Sequence, residues 1–326
     1  MPTRKTFALL GVAGYIAHRH LTAIRDVGGE LVAAMDTSDS VGQIDAHFPM
    51  ARFFTRFEQF ESYLQALKRN GTPVDFVSVC TPNDLHRAHI EAGLRCGANV
   101  ICEKPLVLTP SDIDALIALE RDLDRCVYTI LQLRLVPENL ALRDEFAIPC
   151  AQKPLVDLTY VTARGQWYFN SWKGDDRRSG GIATNIGVHF FDLLGFLFGK
   201  LETNVVHHRA VDCAAGYLGY ERARVRWFLS INARDMPQPA DNEVACRRMT
   251  IGSRICNLSG DFRALHTLSY QNFMDGRRVP LDDVRRAIST VTDIRNAPIN
   301  TAVGDPHPYL ARILNDQHRY RDGFPA

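Results

Sequence analysis

No pair among the eight cysteines has C-x-x-C spacing, so zinc-ribbon and thioredoxin-type readings are excluded. Several cysteines sit within apolar runs, as in Val79-Cys80 and Ile101-Cys102. That placement points to buried, reduced thiols in a cytoplasmic protein. No apolar run reaches the roughly 20 residues that span a membrane; the longest beyond the N-terminus covers 190–198. Residues 7–17 follow Arg4-Lys5 as the apolar core of a signal peptide would. Gly11, Gly14 and Tyr15 interrupt them, and a secretory leader is not expected. Neither sign of charge is in excess: 38 Lys and Arg face 37 Asp and Glu, for a net charge of +1. A near-neutral chain without a basic-aromatic run is not built to hold nucleic acid. A local basic pocket for an acidic small molecule stays open. Internal repeats and low-complexity tracts are absent. What is present is ordinary for a globular protein: 326 residues, 46% hydrophobic and 23% charged. That suffices for about two domains, each with its own core.

Short apolar runs at 7–10, 30–35, 75–80, 99–102 and 126–131 alternate with helical patterns at 15–27, 57–69, 84–96 and 110–123. Thr109 before Pro110 is an N-cap followed by proline at the first helical position. Strands apolar on both faces and alternating with helices predict an α/β fold with a parallel doubly wound sheet. Past residue 132 the pattern changes. Residues 155–164 and 222–231 alternate apolar and polar, as half-buried antiparallel strands do. Between them 185–198 reads as an apolar helix stopped by Gly199, and 282–295 as a late helix. The expected division is a dinucleotide-binding domain over 1–131 and an α+β domain over 132–326, with the tail from Asp305 on the surface.

The first strand runs into Gly11-Val12-Ala13-Gly14-Tyr15-Ile16-Ala17, a relaxed G-x-x-G-x-x-A fingerprint. Glycine permits the tight strand-to-helix turn and lets a pyrophosphate approach the helix N-terminus. A small third residue, here Ala17, lets helix and strand pack closely. Asp36 closes the second strand about 20 residues later, where a carboxylate accepts from ribose hydroxyls and repels a 2′-phosphate; NAD is predicted over NADP. Thr81-Pro82-Asn83 and Glu103-Lys104-Pro105 end the next two strands, at the edge where ligands of open α/β sheets bind. Lys104-Pro105 is a candidate cis bond.

The glycine turn, Thr81-Pro82-Asn83-x-x-His86, Glu103-Lys104-Pro105 and Gly180-Gly181-x-x-x-Asn185-x-Gly187-x-His189-x-x-Asp192 together resemble the Gfo/Idh/MocA family of nicotinamide-dependent oxidoreductases. The resemblance covers nearly the whole chain. It implies a Rossmann domain followed by a domain with an open-faced mixed, mainly antiparallel sheet, often used for dimer or tetramer contacts. It places Lys104 and His189 at the reacting carbon as catalytic residues. Around NAD it places Gly11, Ala13, Gly14, Tyr15, Ile16, Asp36, Thr37, Thr81, Pro82, Asn83, His86, Glu103, Lys104, Gln132 and Trp172. No metal is implied. The family often has aspartate where this chain has Asn185. An amide is no general base, so the proton falls to His189 or Lys104, and the residues leave that choice open.

The segment Arg164-Gly165-Gln166-Trp167-Tyr168-Phe169-Asn170-Ser171-Trp172-Lys173-Gly174-Asp175 mixes aromatics with cations, which suits a sugar bearing negative charge. Together with Asn185 to Asp192, Ala214 to Leu218, and Leu265-His266-Thr267-x-Ser269-Tyr270, it resembles one subgroup of the family. Those are the bacterial enzymes that oxidise C3 of UDP-N-acetylglucosaminuronate on the route to surface-polysaccharide uronic acids such as those of lipopolysaccharide O-antigen. The resemblance implies a homotetramer, and some members reoxidise bound NADH with 2-oxoglutarate. Arg164, Trp167, Ser171, Lys173 and Asn185 then join Lys104 and His189 around the substrate, Arg164, Ser171 and Lys173 as donors to the carboxylate or diphosphate. Two other readings stay open. One is a different sugar or cyclitol dehydrogenase of the family. The other is a non-catalytic NAD-binding regulator, which would have no need of Lys104 and His189.

Overall fold

The computed structural model describes residues 4–148, 152–237, 245–258 and 263–314. Cys150 and the tail beyond Leu314 lie outside them. None of the described cysteines forms a disulfide, and burial pushes the Cys80 and Cys102 thiols well above their ordinary range. Among the described residues no single helix is long and apolar enough to cross a membrane. The chain divides into two compact units, Met1–Leu135 with Asp261–Arg285, and Val136–Gly260 with Arg286–Ala326.

In the first unit the strands are β1 (Thr6–Leu10), β2 (Glu30–Met35), β3 (Arg52–Phe54), β4 (Phe76–Val79), β5 (Asn99–Cys102) and β6 (Val127–Thr129). They form one sheet in the order β3-β2-β1-β4-β5-β6, every pair parallel. This is the doubly wound order of a Rossmann sheet, in which the chain reverses direction between β1 and β4 and leaves a crevice there. The central strands are buried on both faces, which is why they read as continuous apolar runs. Thr109 caps helix Pro110–Leu123, its hydroxyl accepting from the Asp112 N–H, as its sequence predicts. Strand β3 is an unforeseen edge strand: it is short and half-exposed, so neither period nor apolarity marks it.

The division expected at 132 assigns everything beyond it to the second unit, and for one segment that is corrected. Helix Arg263–Met274 belongs to the first unit. Its Tyr270 and Phe273 are buried and pack on Phe7 and Tyr128, with ring centroids 5.9 Å and 4.9 Å apart. The apolar face of this helix is matched to a sheet far away in sequence, so no local signal assigns it.

The second unit holds β7 (Leu155–Thr162), β8 (Leu201–Arg209), β9 (Cys213–Tyr220), β10 (Arg224–Ser230), β11 (Ala245–Ile251) and β12 (Arg254–Asn257). Their order is β12-β11-β7-β10-β9-β8. Strands β7 and β10, expected to be antiparallel, lie parallel to each other. All other pairs are antiparallel, so the sheet is mixed. The helix expected over 185–198 is two helices, Gly181–Asn185 and Val188–Phe198. The break falls at Gly187, where an added Cβ would lie 2.5 Å from the Ala183 carbonyl oxygen and 2.6 Å from Leu229. Helix Val188–Phe198 covers one sheet face, with Phe191 edge-on to Trp227 at 5.4 Å. The opposite face receives the chain's end. His307 stacks on Phe228 at 5.7 Å, and Leu310 and Ile313 are buried. The surface placement expected from Asp305 onward is therefore wrong for 307–314, where helix Pro308–Leu314 buries an apolar face.

Candidate active site

In the first unit β1 delivers the chain into Gly11 at φ 84°, a left-handed conformation that favours glycine. A Cβ there would sit 2.7 Å from the Cys80 carbonyl carbon and oxygen. The turn is closed by Gly14 N–H to Gly11 O and Ala17 N–H to Gly14 O, both 3.0 Å. Helix Ala17–Asp26 then begins with no side-chain cap and no acidic residue in its first turn. With no carboxylate placed at this end, the positive end of the helix dipole is left for an anion. The Asp36 carboxylate accepts from the Ala13 N–H at 2.9 Å and the Ser38 N–H at 3.0 Å. A carboxylate has about four acceptor positions, so capacity remains for ribose hydroxyls. Gln43 donates its amide to the Val12 carbonyl and braces the same loop. Thr37 is exposed, Tyr15 is 84% exposed beside the turn, and Ala13 and Ile16 are half-buried.

At the carboxyl ends of β4 and β5 the two polar segments are tied together. The His86 ring is buried, with Nδ1 2.7 Å from the Pro105 carbonyl and Nε2 2.9 Å from the Thr81 carbonyl. Burial lowers its pKa against the opposing pull of those carbonyls. His86 is thus a clamp between loops, with both ring nitrogens committed to backbone. Thr81 Oγ1 pairs with His89 Nδ1 at 2.9 Å, and Asn83 is buried. The Lys104–Pro105 bond is cis and Lys104 is half-exposed.

Glu103 is turned inward. It is 7% exposed, and its Oε1 accepts from His20 Nε2 at 3.0 Å and His266 Nε2 at 3.2 Å. Its Oε2 accepts from the Lys104 backbone N–H at 3.2 Å. Burial pushes the carboxyl pKa up, but the two imidazole hydrogen bonds outweigh it and hold the group well below the usual carboxylate range. Burial likewise keeps His20 below its ordinary value. Glu103 therefore braces the loop from inside, through the Lys104 N–H. Gln132 follows β6, buried, and its Oε1 has no partner among the described residues. A buried amide oxygen lacking a donor fits a ligand that brings one. The glycine cradle, the uncapped helix and Gln132 together fit a dinucleotide.

The second unit holds the other expected residues. Arg164, Ser171, Trp172, Lys173, Asn185 and His189 are half-exposed, and Trp167 is 53% exposed. The Lys173 ammonium lies 4.5 Å from the Trp172 ring centroid and 5.5 Å from that of Trp167, a cation held against two aromatic rings. Ser171 is occupied locally: its hydroxyl donates to the Tyr168 carbonyl at 2.8 Å and accepts from the Lys173 N–H. Gly174 lets this loop fold on itself, since a Cβ there would meet the Phe169 Cα at 2.6 Å. Asn185 donates from Nδ2 to the Tyr168 hydroxyl at 2.7 Å. Tyr168 is buried, and burial raises its pKa. Its role was not expected, although it lies within the aromatic segment. Asn185 and His189 flank the Gly187 break.

Residues 5–130 match the oxidoreductase family Gfo/Idh/MocA over its NAD-binding Rossmann fold, and 155–247 match its C-terminal alpha/beta domain. The chain is 45% identical to the WlbA (WbpB) dehydrogenase of Thermus thermophilus, over 94% of this chain and 99% of that one, with a TM-score of 0.90. That enzyme was crystallised with NAD and alpha-ketoglutarate, and with NAD and UDP-GlcNAcA. The chain is also 29% identical to the 1,5-anhydro-D-fructose reductase of Ensifer adhaerens over 208 residues, 63% of this chain and 60% of that protein. It is 31% identical to the inositol 2-dehydrogenase of Rhizobium meliloti over 218 residues, 65% of this chain and 61% of that protein. It thus spans about three fifths of the length of these two relatives. The chain belongs to the Gfo/Idh/MocA oxidoreductase family, with an NAD-binding Rossmann unit followed by the family's C-terminal alpha/beta domain.

Proposed function

We propose that the protein oxidises the C3 hydroxyl of UDP-N-acetylglucosaminuronate to the 3-keto sugar, using NAD. The observation that carries this reading is the 45% identity, across 94% of the chain, to a dehydrogenase crystallised with NAD and that nucleotide sugar. Gly11, Gly14, Asp36 and Gln132 would hold the cofactor, which when bound accepts the hydride from C3. His189 takes the hydroxyl proton as general base. The Lys104 ammonium stabilises negative charge developing on the sugar oxygen. The protons and charges balance: the alcohol loses a hydride and a proton, and the carbonyl remains. Arg164 and Lys173 bind the uronate or the diphosphate, and the two tryptophans around Lys173 keep that cation directed.

The companion complex with alpha-ketoglutarate, which is 2-oxoglutarate, supports a second half-reaction. In it 2-oxoglutarate is reduced to 2-hydroxyglutarate and NAD is regenerated in place. The uronate carboxylate is separated from C3 by two carbons, as the distal carboxylate of 2-oxoglutarate is from its keto carbon, so one cationic anchor serves both. The same reading puts the protein in the cytoplasm, where nucleotide sugars are made, as a homotetramer, in a route to O-antigen uronic acids. The test is mass spectrometry of UDP-N-acetylglucosaminuronate after incubation with the protein, NAD and 2-oxoglutarate. A sugar lighter by about two mass units (two hydrogens lost) and the appearance of 2-hydroxyglutarate are expected. Oxidation of a free sugar or inositol in place of the nucleotide sugar would overturn the reading.

A further inference from the structure

The stretch Leu265-His266-Thr267-x-Ser269-Tyr270 has no part in the reaction as proposed. Its helix nevertheless packs within the first unit and sends two polar side chains into the interior. His266 is 1% exposed and donates to Glu103; Tyr270 is fully buried, with its hydroxyl 2.7 Å from His20 Nδ1 and 2.7 Å from Ser78 Oγ. An ionised carboxylate can only accept, so Glu103 sets the direction of the whole chain of bonds. His20 and His266 must present Nε2–H to it. His20 Nδ1 must then accept from the Tyr270 hydroxyl, whose oxygen accepts from Ser78.

We propose that His20 and His266 are positioning residues, which pin the Glu103 carboxylate and through it the backbone of Lys104. This rests on the catalytic role proposed for Lys104. A buried anion is a costly way to fill space. Here it has one specific output, the bond from its second oxygen to the Lys104 N–H. His86 holds the other side of the same turn through the Pro105 carbonyl. The lysine's backbone is thus fixed from two directions before any ligand arrives. The three ligand-type atoms of His20, Glu103 and His266 lie within 4.8 Å of one another, a spacing a metal ion could span. At 3.0 and 3.2 Å, however, each imidazole N–H already has the carboxylate as its acceptor.

The experiment compares the full-length protein with His266→Leu, His266→Gln and Glu103→Gln. Glutamine at 266 keeps an N–H donor at similar reach, whereas leucine has none. Glutamine at 103 keeps the shape but turns one acceptor into a donor facing the Lys104 N–H. Two readouts are taken: kcat and KM on the nucleotide sugar with the NAD Kd, and the acetylation rate of Lys104 by mass spectrometry against Lys5 and Lys68. His266→Leu and Glu103→Gln should lower kcat by about tenfold to a hundredfold, the scale of a misplaced catalytic group. NAD affinity should stay within about twofold. Both variants should shift the relative acetylation rate of Lys104, and His266→Gln should restore most of each readout. Equal losses in His266→Leu and His266→Gln would overturn the proposal, as would unchanged kcat and labelling in His266→Leu. So would stoichiometric zinc whose removal by a chelator abolishes activity. The labelling needs no substrate, so it decides this proposal even if the nucleotide sugar proves not to be oxidised, which would sink only the proposed function.

Discussion

Gly11→Ala tests the phosphate cradle most directly, because two costs fall on one methyl group. The first is conformational. At φ 84° a residue with a Cβ loses about 1–2 kcal/mol relative to glycine. The second is steric. The new Cβ would lie 2.7 Å from the Cys80 carbonyl carbon and oxygen and 2.8 Å from the Thr81 nitrogen. All three are backbone atoms, so no side chain can rotate away, and overpacking of this kind costs about 1–3 kcal/mol. Relief requires pushing the start of the Thr81-Pro82-Asn83 segment away from the glycine turn. Gly28 isolates the first cost, because it has φ 73° but nothing within 4 Å of the point a Cβ would occupy. Gly28→Ala should therefore destabilise by the conformational amount alone and leave NAD affinity unchanged. Gly11→Ala should destabilise by about 2–5 kcal/mol, the sum of the two, and weaken NAD binding by at least tenfold. Urea unfolding followed by tryptophan fluorescence, with NAD titration by calorimetry, measures both. Equal losses of stability in the two variants, with NAD affinity intact in Gly11→Ala, would refute the close-approach argument.

Asp36→Ala removes the acceptor of the Ala13 N–H and the charge that would oppose a 2′-phosphate. The NAD Kd should rise by about tenfold, the scale of a hydrogen bond to a charged group, and the preference for NAD over NADP should narrow. An unchanged NAD-to-NADP ratio would count against Asp36 as the discriminating residue. Lys104→Ala and His189→Ala should each lower kcat far more than they weaken NAD binding, by two or more orders of magnitude for a lost acid–base group. If both lose cofactor affinity in proportion, they are structural residues. His307 is buried against Phe228, and burial lowers its pKa from 6.5 to about 4. The unfolded chain therefore binds the extra proton between pH 6.5 and about 4, and stability should fall through that window as the pH drops, by about 3 kcal/mol in total. His307→Leu should flatten this slope in urea midpoints measured from pH 7 to pH 4, and an unaltered slope would place the acid sensitivity elsewhere.

The Rossmann unit was legible because its determinants are local. Buried parallel strands are apolar throughout, glycines mark the cradle, and Thr109-Pro110 marks a helix start. Strand β3 escaped because three half-exposed edge residues carry no period. Helix Arg263–Met274 escaped for a different reason. Its buried face is complementary to Phe7, His20 and Tyr128, and that fit exists only after the chain has returned from the second unit. The pairing direction of β7 and β10 is likewise a property of two strands together, since alternation within each is the same in either direction. At the site, residue types were readable but their partners were not. Glu103 and His86 carried the right motif, yet both face inward to hold loops. Tyr168 was hidden among aromatics that read as one group.

The departure at Asn185 has a chemical reading in this structure. Its amide donates to the Tyr168 oxygen at 2.7 Å, so the phenol keeps its own proton for another acceptor. An ionised aspartate at 185 could only accept. The Tyr168 hydroxyl would then turn to it, and a negative charge would appear beside a site proposed to take a uronate. Asn185→Asp should therefore raise KM for UDP-N-acetylglucosaminuronate by on the order of tenfold through like-charge repulsion. KM for the neutral UDP-N-acetylglucosamine, or binding of it where no turnover occurs, should change little. The penalty on the uronate should shrink at high salt, which screens part of the repulsion. Steady-state kinetics on the uronate and titration of the neutral sugar, at low and high ionic strength, separate charge from shape. An equal loss for both sugars, independent of salt, would mean that the amide acts only by fixing the Tyr168 ring, and the link between Asn185 and an anionic substrate would fail.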